Sequence, residues 1–329
     1  MSGWPRRAVI VAMAASVLLP VEASRANFLT DLFKGSSKQA KPSKSASRPK
    51  REAIAKAAAP ARHVASSKPA APPKSRVAEK PDPVLPAGQK CEPAKFHLVI
   101  DVGHTAESDG AMSARNVPEF RFNLNLAERI KEKLTSEGFV RTQLMVTEGK
   151  ARPSLIKRAA KANKSHADLF LSIHHDSVPD KFMENWEFEG KESHFSDRFS
   201  GYSLFVSRDN PDYEASLAFA TMIGKELKAD GLKFANQYTL PIMGKYQHPL
   251  LDKDAGVYRY DHLVVLKRTL MPAVLLEAGS IINRDEELQM ASVERQDMII
   301  GAVTTAVKEY CGPVPASEAE ARPQVNANH

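Results

Sequence analysis

Short apolar runs alternate with amphipathic segments over residues 91–312. Buried strands are predicted at FHLVID (96–101), DLFLSIHH (168–175) and YSLFVS (202–207), and two further short apolar runs are LVVL (263–266) and AVLLE (273–277). Helices are predicted where apolar residues recur every three or four positions, at 118–137, 153–164, 212–228 and 291–310. This alternation indicates one α/β domain with a mostly parallel sheet.

The first 26 residues follow the pattern of a signal peptide. An arginine pair precedes a twelve-residue apolar core at 8–19, which is too short to span a bilayer. Small residues follow this core, so we predict cleavage near Ala23 or Ala26 and location in the periplasm or cell envelope. A buried N-terminal helix is the alternative interpretation.

Residues 27–90 are predicted to be a disordered basic linker. They are rich in Lys, Ala, Pro and Ser, and they have too few apolar residues to offset the entropy of ordering. Two roles fit this composition: a solvated spacer, or a segment attracted to an anionic polymer of the cell envelope. Residues 313–329 are predicted to be a disordered tail.

The net charge of +7 comes from the first 90 residues. Residues 1–26 carry a net +2 and residues 27–90 a net +10, whereas residues 91–329 carry a net −5. The segment predicted to fold is therefore acidic, which argues against a nucleic acid as its partner. No stretch reaches about 18 consecutive apolar residues, so we expect no transmembrane segment in the mature chain.

The chain has two cysteines, Cys91 and Cys311, and they bracket the segment predicted to fold. An even number of cysteines in an exported protein favours a disulfide. We therefore predict one bridge between the start of the domain and its last helix. Two buried free thiols are the alternative.

Residues suited to metal chemistry stand at the ends of the predicted elements. His104 follows the first strand and His174 ends the second. Glu277 ends a later apolar run, and Glu119 lies in the first turn of a helix. Ligands gather at the carboxyl ends of strands in α/β sheets, and two His with one Glu form a ligand set for Zn²⁺. A further carboxylate can then act as general base. Ordinary polar residues at strand ends remain the alternative.

Four motifs, in the same order, resemble the zinc-dependent N-acetylmuramoyl-L-alanine amidases of the type-3 amidase family. They are VIDVGH (99–104), Glu119 within VPEFRFNLNLAERI, SIHHDS (172–177) and PAVLLEAGSIIN (272–283). The resemblance runs from about residue 97 to 310, which is nearly the whole segment predicted to fold. Any one motif alone would be weak, whereas four in order are specific.

The resemblance implies an α/β fold with a central twisted sheet flanked by helices. It implies hydrolysis of the amide bond between N-acetylmuramic acid and L-alanine in peptidoglycan. By position in the motifs, His104, Glu119 and His174 are expected to bind one Zn²⁺ per chain. Glu277 is expected to be the catalytic carboxylate. Peptidoglycan is the expected partner, and an activator protein is a further candidate.

The sequence departs from the family pattern near both histidine motifs. Val102 and Thr105 stand where the family usually has Pro and Gly, which concerns the loop more than the ligands. His175 stands where a small residue is usual, so it is an alternative ligand to His174. Adjacent strand residues point to opposite faces, so only one of the two should reach the metal. Segment 178–200 is longer than usual and is either a surface excursion or a lid.

Three other functions remain open from the sequence. A zinc peptidase would cut within the stem peptide instead of at its junction with the glycan. A non-catalytic peptidoglycan-binding protein would keep the fold without the reaction, but the presence of all four motif residues argues against it. An envelope scaffold would act through the basic linker.

Overall fold

A seven-stranded sheet forms the centre of residues 91–312, which are the residues described in this computed structural model. The predicted signal peptide, linker and C-terminal tail lie outside the described residues. The strands within this range are β1 (Leu98–Val102), β2 (Gln143–Met145), β3 (Leu169–Asp176), β4 (Glu184–Phe188), β5 (Lys191–Phe195), β6 (Ser203–Val206), β7 (Leu250–Asp252), β8 (Val257–Arg259) and β9 (Ala273–Ser280).

Helices connect most of these strands. The α-helices are α1 (Glu119–Ser136), α2 (Ala151–Ser165), α3 (Tyr213–Ala229), α4 (Val264–Arg268), α5 (Arg284–Ala291) and α6 (Val293–Cys311). Short 3₁₀ helices are present at Asp180–Phe182, Asn236–Thr239 and Pro241–Tyr246. Among the described helices, none has the length and apolar character needed to cross a membrane.

The strand order in the sheet is β2-β1-β3-β9-β6-β8-β7. The pairs β1–β2, β1–β3, β3–β9 and β6–β8 are parallel, whereas β6–β9 and β7–β8 are antiparallel. The prediction of a mostly parallel sheet flanked by helices is therefore confirmed. The carboxyl ends of β1, β3 and β9 lie side by side, so residues at those three ends share one edge of the sheet.

Each face of the sheet has its own apolar core because alternate strand residues point to opposite faces. Leu98 and Ile100 of β1 belong to the larger core, which also contains buried residues of α1, α3 and α6. Val99 belongs to the second core, which contains Ala162 of α2 and Leu266 of α4. This division decides which strand residues face α1 at the carboxyl edge of the sheet.

The sequence assigned the apolar run at 263–266 to no element and predicted a single last helix at 291–310. Residues 264–266 of the run lie in helix α4. The helix predicted at 291–310 is preceded by a separate helix, α5, and the two meet at Ser292. The Ser292 hydroxyl accepts a hydrogen bond from the backbone N–H of Arg295, which caps α6.

Segment 178–200 contains an antiparallel hairpin, β4–β5, that pairs with no other described strand. Its Trp186 Nε1 and its Ser193 hydroxyl both donate hydrogen bonds to the Ala114 carbonyl oxygen, at 2.8 Å each. The hairpin is thus hydrogen-bonded to the loop before α1. Its role as a lid or as a surface excursion stays a prediction.

A disulfide joins Cys91 to Cys311 across 220 residues of sequence, with 4.9 Å between the two Cα atoms. The backbone N–H of Cys91 also donates to the Cys311 carbonyl oxygen at 3.1 Å. The predicted bridge between the start of the domain and its last helix is therefore confirmed.

Candidate metal centre

Three side chains with metal-binding atoms converge at the carboxyl edge of the sheet. His104 lies just beyond β1, His174 lies in β3, and Glu119 is the first residue of α1. One donor atom from each residue lies within 4.8 Å of the donor atoms of the other two. Among the described residues, this is the group of three or more His, Cys, Asp or Glu side chains that could hold a metal ion. The structure therefore brings together the three residues expected to bind zinc.

Glu119 is the centre of this cluster. Its Oε2 lies 2.9 Å from His104 Nε2 and its Oε1 lies 2.9 Å from His174 Nδ1. Burial acts to raise the pKa of Glu119, but the hydrogen bonds and charges of the two histidines outweigh it and hold the pKa well below its ordinary value. Glu119 is therefore a carboxylate anion, the form that binds a metal ion.

Two glycines leave the space that this arrangement needs. A Cβ atom at Gly103 would lie 2.5 Å from His174 Nε2, and one at Gly110 would lie 2.5 Å from Glu119 Oε2. Gly110 also has a φ of 84°, in the left-handed region that glycine adopts without strain. Any side chain at either position would displace a donor group. The sequence analysis assigned neither glycine a role.

His174 and His175 point to opposite sides of β3, as expected for adjacent strand residues. The His175 ring is buried, with Nδ1 2.8 Å from Asn123 Oδ1 of α1. Burial lowers the pKa of His175 to about 3. His175 is thus a neutral ring facing α1, and His174 is the one in the donor cluster.

Asn123 links these groups to one another. Its Nδ2 donates to Glu119 Oε1 at 3.1 Å and to the Gly103 carbonyl oxygen at 3.2 Å. The backbone N–H of His175 donates to the same Glu119 oxygen at 3.3 Å. These contacts hold the Glu119 carboxylate in one orientation. Sequence reasoning missed Asn123, although its position four residues after Glu119 places both on one side of a helix.

A second buried network lies beneath His104. Arg158 of α2 is 1% exposed, with Nη1 3.6 Å from Asp101 Oδ2, and it donates to the His104 carbonyl oxygen. The Ser172 hydroxyl donates to Asp101 Oδ2 at 2.7 Å. This network ties the loop that carries His104 to strands β1 and β3. The sequence did not indicate this role for Arg158, because an arginine in a polar helix is usually an exposed surface residue.

Glu277 lies directly across from His174 in the register of β3 and β9. Its Oε2 is buried and has no hydrogen-bond partner among the described residues. Burial raises the pKa of Glu277 well above its ordinary value, and the charges of Asp176 and Glu119 raise it further. The structure therefore places beside the donor cluster a carboxylate that does not belong to it and holds a proton readily.

Asp176, at the end of β3, is a second buried carboxyl group, and its charge contributes to the raised pKa of Glu277. The Tyr238 hydroxyl lies 2.7 Å from both Asp176 carboxylate oxygens, and Gln237 Nε2 donates to Oδ2 at 3.3 Å. Burial raises the pKa of Asp176 to about 7, although the hydrogen bond from Tyr238 opposes this shift. Tyr238 comes from a 3₁₀ helix far along the chain, so sequence reasoning did not connect it with the site.

Residues 98–309 match the family model described as N-acetylmuramoyl-L-alanine amidase. The match covers more than half of the chain and contains all four motif residues. This chain belongs to the N-acetylmuramoyl-L-alanine amidase family. The amidase match begins and ends within the described residues, so the folded part and the family domain coincide.

Relatives of this amidase domain are distant but match along its length. A Buchnera aphidicola protein named for the same amidase activity is 26% identical over 223 residues, covering 65% of this chain and 95% of that protein. Escherichia coli AmiC is 26% identical over 230 residues, covering 65% of this chain and 52% of AmiC. The matching part of this chain therefore spans about half the length of AmiC.

A solved amidase structure has the same fold. The Mycobacterium smegmatis N-acetylmuramyl-L-alanine amidase Ami1 superposes with a TM-score of 0.51 at 18% identity, covering 68% of this chain and 99% of that one. At this identity the likeness shows the fold alone.

Proposed function

We propose that this chain is an exported zinc-dependent N-acetylmuramoyl-L-alanine amidase that hydrolyses the bond between N-acetylmuramic acid and L-alanine in peptidoglycan. The observation that carries the proposal is the convergence of His104, Glu119 and His174 beside Glu277 in a chain of the amidase family. The predicted signal peptide supports export to the periplasm or cell envelope.

The donor set suits zinc. Two imidazoles and one carboxylate are a ligand set of catalytic zinc sites, which leaves a further position for water or substrate. The three residues would hold one ion per chain. A bound zinc ion would act as a Lewis acid: it would polarise the carbonyl group of the substrate amide and lower the pKa of a bound water to about 7.

Glu277 is proposed as the general base. Its pKa is raised by burial and by neighbouring carboxylates, so it accepts a proton more readily than an ordinary glutamate. It takes the proton from the attacking water and then delivers it to the departing amine of L-alanine. Because Glu277 belongs to β9 and His174 to the adjacent β3, the sheet itself sets the distance between base and metal.

Glu277→Gln tests this role. The amide keeps the size of the side chain but cannot accept the proton, so kcat on purified peptidoglycan should fall by about 10²- to 10⁴-fold while bound zinc stays at one ion per chain. Glu214→Gln is the matched control, since Glu214 is an exposed residue in the first turn of α3. Full activity of Glu277→Gln would contradict the proposed role.

The products identify the bond that is cut. Mass spectrometry of digested sacculi should show intact stem peptides and glycan strands that carry free lactyl groups, and release should stop when a chelator is added. Shortened stem peptides would indicate a zinc peptidase instead. Binding to sacculi without any released fragment would indicate a non-catalytic binding protein. Addition of an activator protein to this assay would test that predicted partner.

A further inference from the structure

A cavity of about 270 Å³ lies between the loop before α1 and the β4–β5 hairpin. It is next to the metal centre because one wall residue, Ala111, donates its backbone N–H to Glu119 Oε2 at 3.2 Å. Ser177 and Val178, which follow directly after β3, form another wall. A molecule bound here would lie beside the groups proposed to cut the amide.

The hairpin side of the cavity is held in place by several contacts. Besides the two hydrogen bonds to the Ala114 carbonyl oxygen, Asn116 Nδ2 donates to the Glu192 carbonyl oxygen at 3.4 Å. The Arg115 guanidinium lies 5.6 Å from the centre of the Trp186 ring and pairs with the buried Glu287 at 2.6 Å. The cavity is thus a preformed feature of the fold.

The lining of the cavity is almost uncharged. Ser113, Ser177, Ser193 and Asn116 supply hydroxyl and amide groups, and Met112, Val178 and Met183 supply apolar surface. None of the described residues that line it is Lys or Arg. Asp180 is its acidic residue, and His194 adds an imidazole whose Nδ1 lies 2.9 Å from Asn185 Oδ1. This chemistry suits a neutral ligand with hydroxyl groups and a small apolar group.

We propose that this cavity binds the uncharged aminosugar ring on the glycan side of the bond that is cut. This inference rests on the proposed amidase function. In that substrate the lactyl carboxyl is part of the amide, so the ring offers hydroxyls and an acetamido methyl but no charge. The stem peptide carries free carboxylates, for which a cavity with Asp180 and with neither Lys nor Arg among its described lining residues is poorly suited.

The size of the cavity agrees with this occupant. Pockets that enclose drug-sized ligands have volumes of about 300 to 1,000 Å³, so a cavity of about 270 Å³ has room for one ring rather than for a glycan strand. The rest of the strand would lie outside it. The hairpin would therefore position one sugar with respect to the metal centre.

Substitution of Met112 tests the proposal. Met112 is 44% exposed and lines the cavity, whereas Met298 on α6 is 42% exposed and lies outside it. Two soluble substrates are compared with the zinc-loaded full-length chain: a disaccharide-linked muramoyl peptide, and a lactyl peptide that lacks the sugars. Met112→Trp should lower the preference for the muramoyl peptide, measured as the ratio of kcat/KM, by about tenfold through a higher KM. Met298→Trp should leave the ratio unchanged.

Direct binding separates this inference from the amidase proposal. The peptide-free disaccharide should show saturation-transfer NMR signals with the wild-type chain and with Met298→Trp, and weaker signals with Met112→Trp. The binding of the disaccharide is expected even if neither substrate is cut. Failure to cut either substrate would refute the amidase function but not the sugar site. Absence of disaccharide binding to the wild-type chain, or an equal loss of kcat/KM on both substrates in Met112→Trp, would overturn the sugar site.

Discussion

At the residue scale, the candidate metal centre depends on groups outside the proposed ligand set. Asn123 and the backbone N–H of His175 fix one oxygen of Glu119, while the backbone N–H of Ala111 fixes the other. Hydrogen bonds to ligating groups orient them and tune their affinity, typically by 10- to 100-fold. If the chain binds zinc as proposed, substitution of residues that touch the carboxylate should therefore change the zinc affinity although these residues are not ligands.

A comparison of the two adjacent histidines tests this distinction. His174→Ala removes a proposed ligand, so the purified protein should no longer hold one zinc per chain. His175→Ala removes a ring that supports Asn123, so zinc should still bind, with affinity weaker by roughly 10- to 100-fold. Metal content and competition with a chelator measure both effects, and circular dichroism checks folding. Zinc lost from His175→Ala but kept by His174→Ala would reverse the assignment.

At the element scale, two helix glycines differ in the space around them. Helix α3 contains Gly224, and a Cβ there would lie 2.0 Å from the backbone carbonyl oxygen of Ala255. The Tyr202 hydroxyl also donates to the Gly224 carbonyl oxygen at 3.0 Å. Helix α6 contains Gly301, around which a Cβ would meet no atom within 4 Å. Two helix glycines thus have opposite roles.

Alanine at each of these glycines should therefore change stability in opposite directions. Gly301→Ala should raise the free energy of unfolding by up to about 1 kcal/mol, because alanine favours the helix and the space is open. Gly224→Ala should lower it by about 1 to 3 kcal/mol, because backbone atoms must move to relieve the overlap. Urea denaturation measures both variants, and a stabilised Gly224→Ala would show that the close approach is not needed.

The three shortest strands of the sheet are among the elements that the sequence did not predict. Strand β3 and helices α1 and α3 have enough residues for their apolar period to appear, whereas β2, β7 and β8 have three residues each and show no period. Helix α5 was missed although its signal is present. The side chain of Asn283 caps this helix by accepting hydrogen bonds from the backbone N–H groups of Asp285 and Glu286. The first turn is also acidic, which is typical of the start of a helix.

At the scale of the whole molecule, the disulfide joins the two ends of the domain. Cys91 precedes β1 and Cys311 ends α6, so the bridge closes a loop of nearly the whole described chain. A cross-link of this kind stabilises mainly by restricting the unfolded chain, and more so for longer loops. The metal centre lies at the sheet edge and uses neither cysteine.

Replacement of both cysteines tests that separation. Cys91→Ser together with Cys311→Ser should lower the free energy of unfolding by about 2 to 4 kcal/mol, measured by urea denaturation. The folded variant should keep its zinc and its amidase activity, and reductant should no longer alter its stability. Unchanged stability of the double variant, compared with the oxidised wild-type chain, would show that the bridge contributes little.

The sequence by itself determined the α/β class and the extent of the segment that folds. It favoured the disulfide over two free thiols, and its resemblance to the amidase family indicated the four residues proposed for the site. These predictions rest on the spacing of apolar residues, on composition and on the order of the motifs, all of which can be read along one sequence. Only the tertiary structure decided which of His174 and His175 joins the donor cluster, and which residues surround it. The reason is that Arg158, Tyr238 and the hairpin reach the site from distant parts of the chain, through contacts that leave no local pattern.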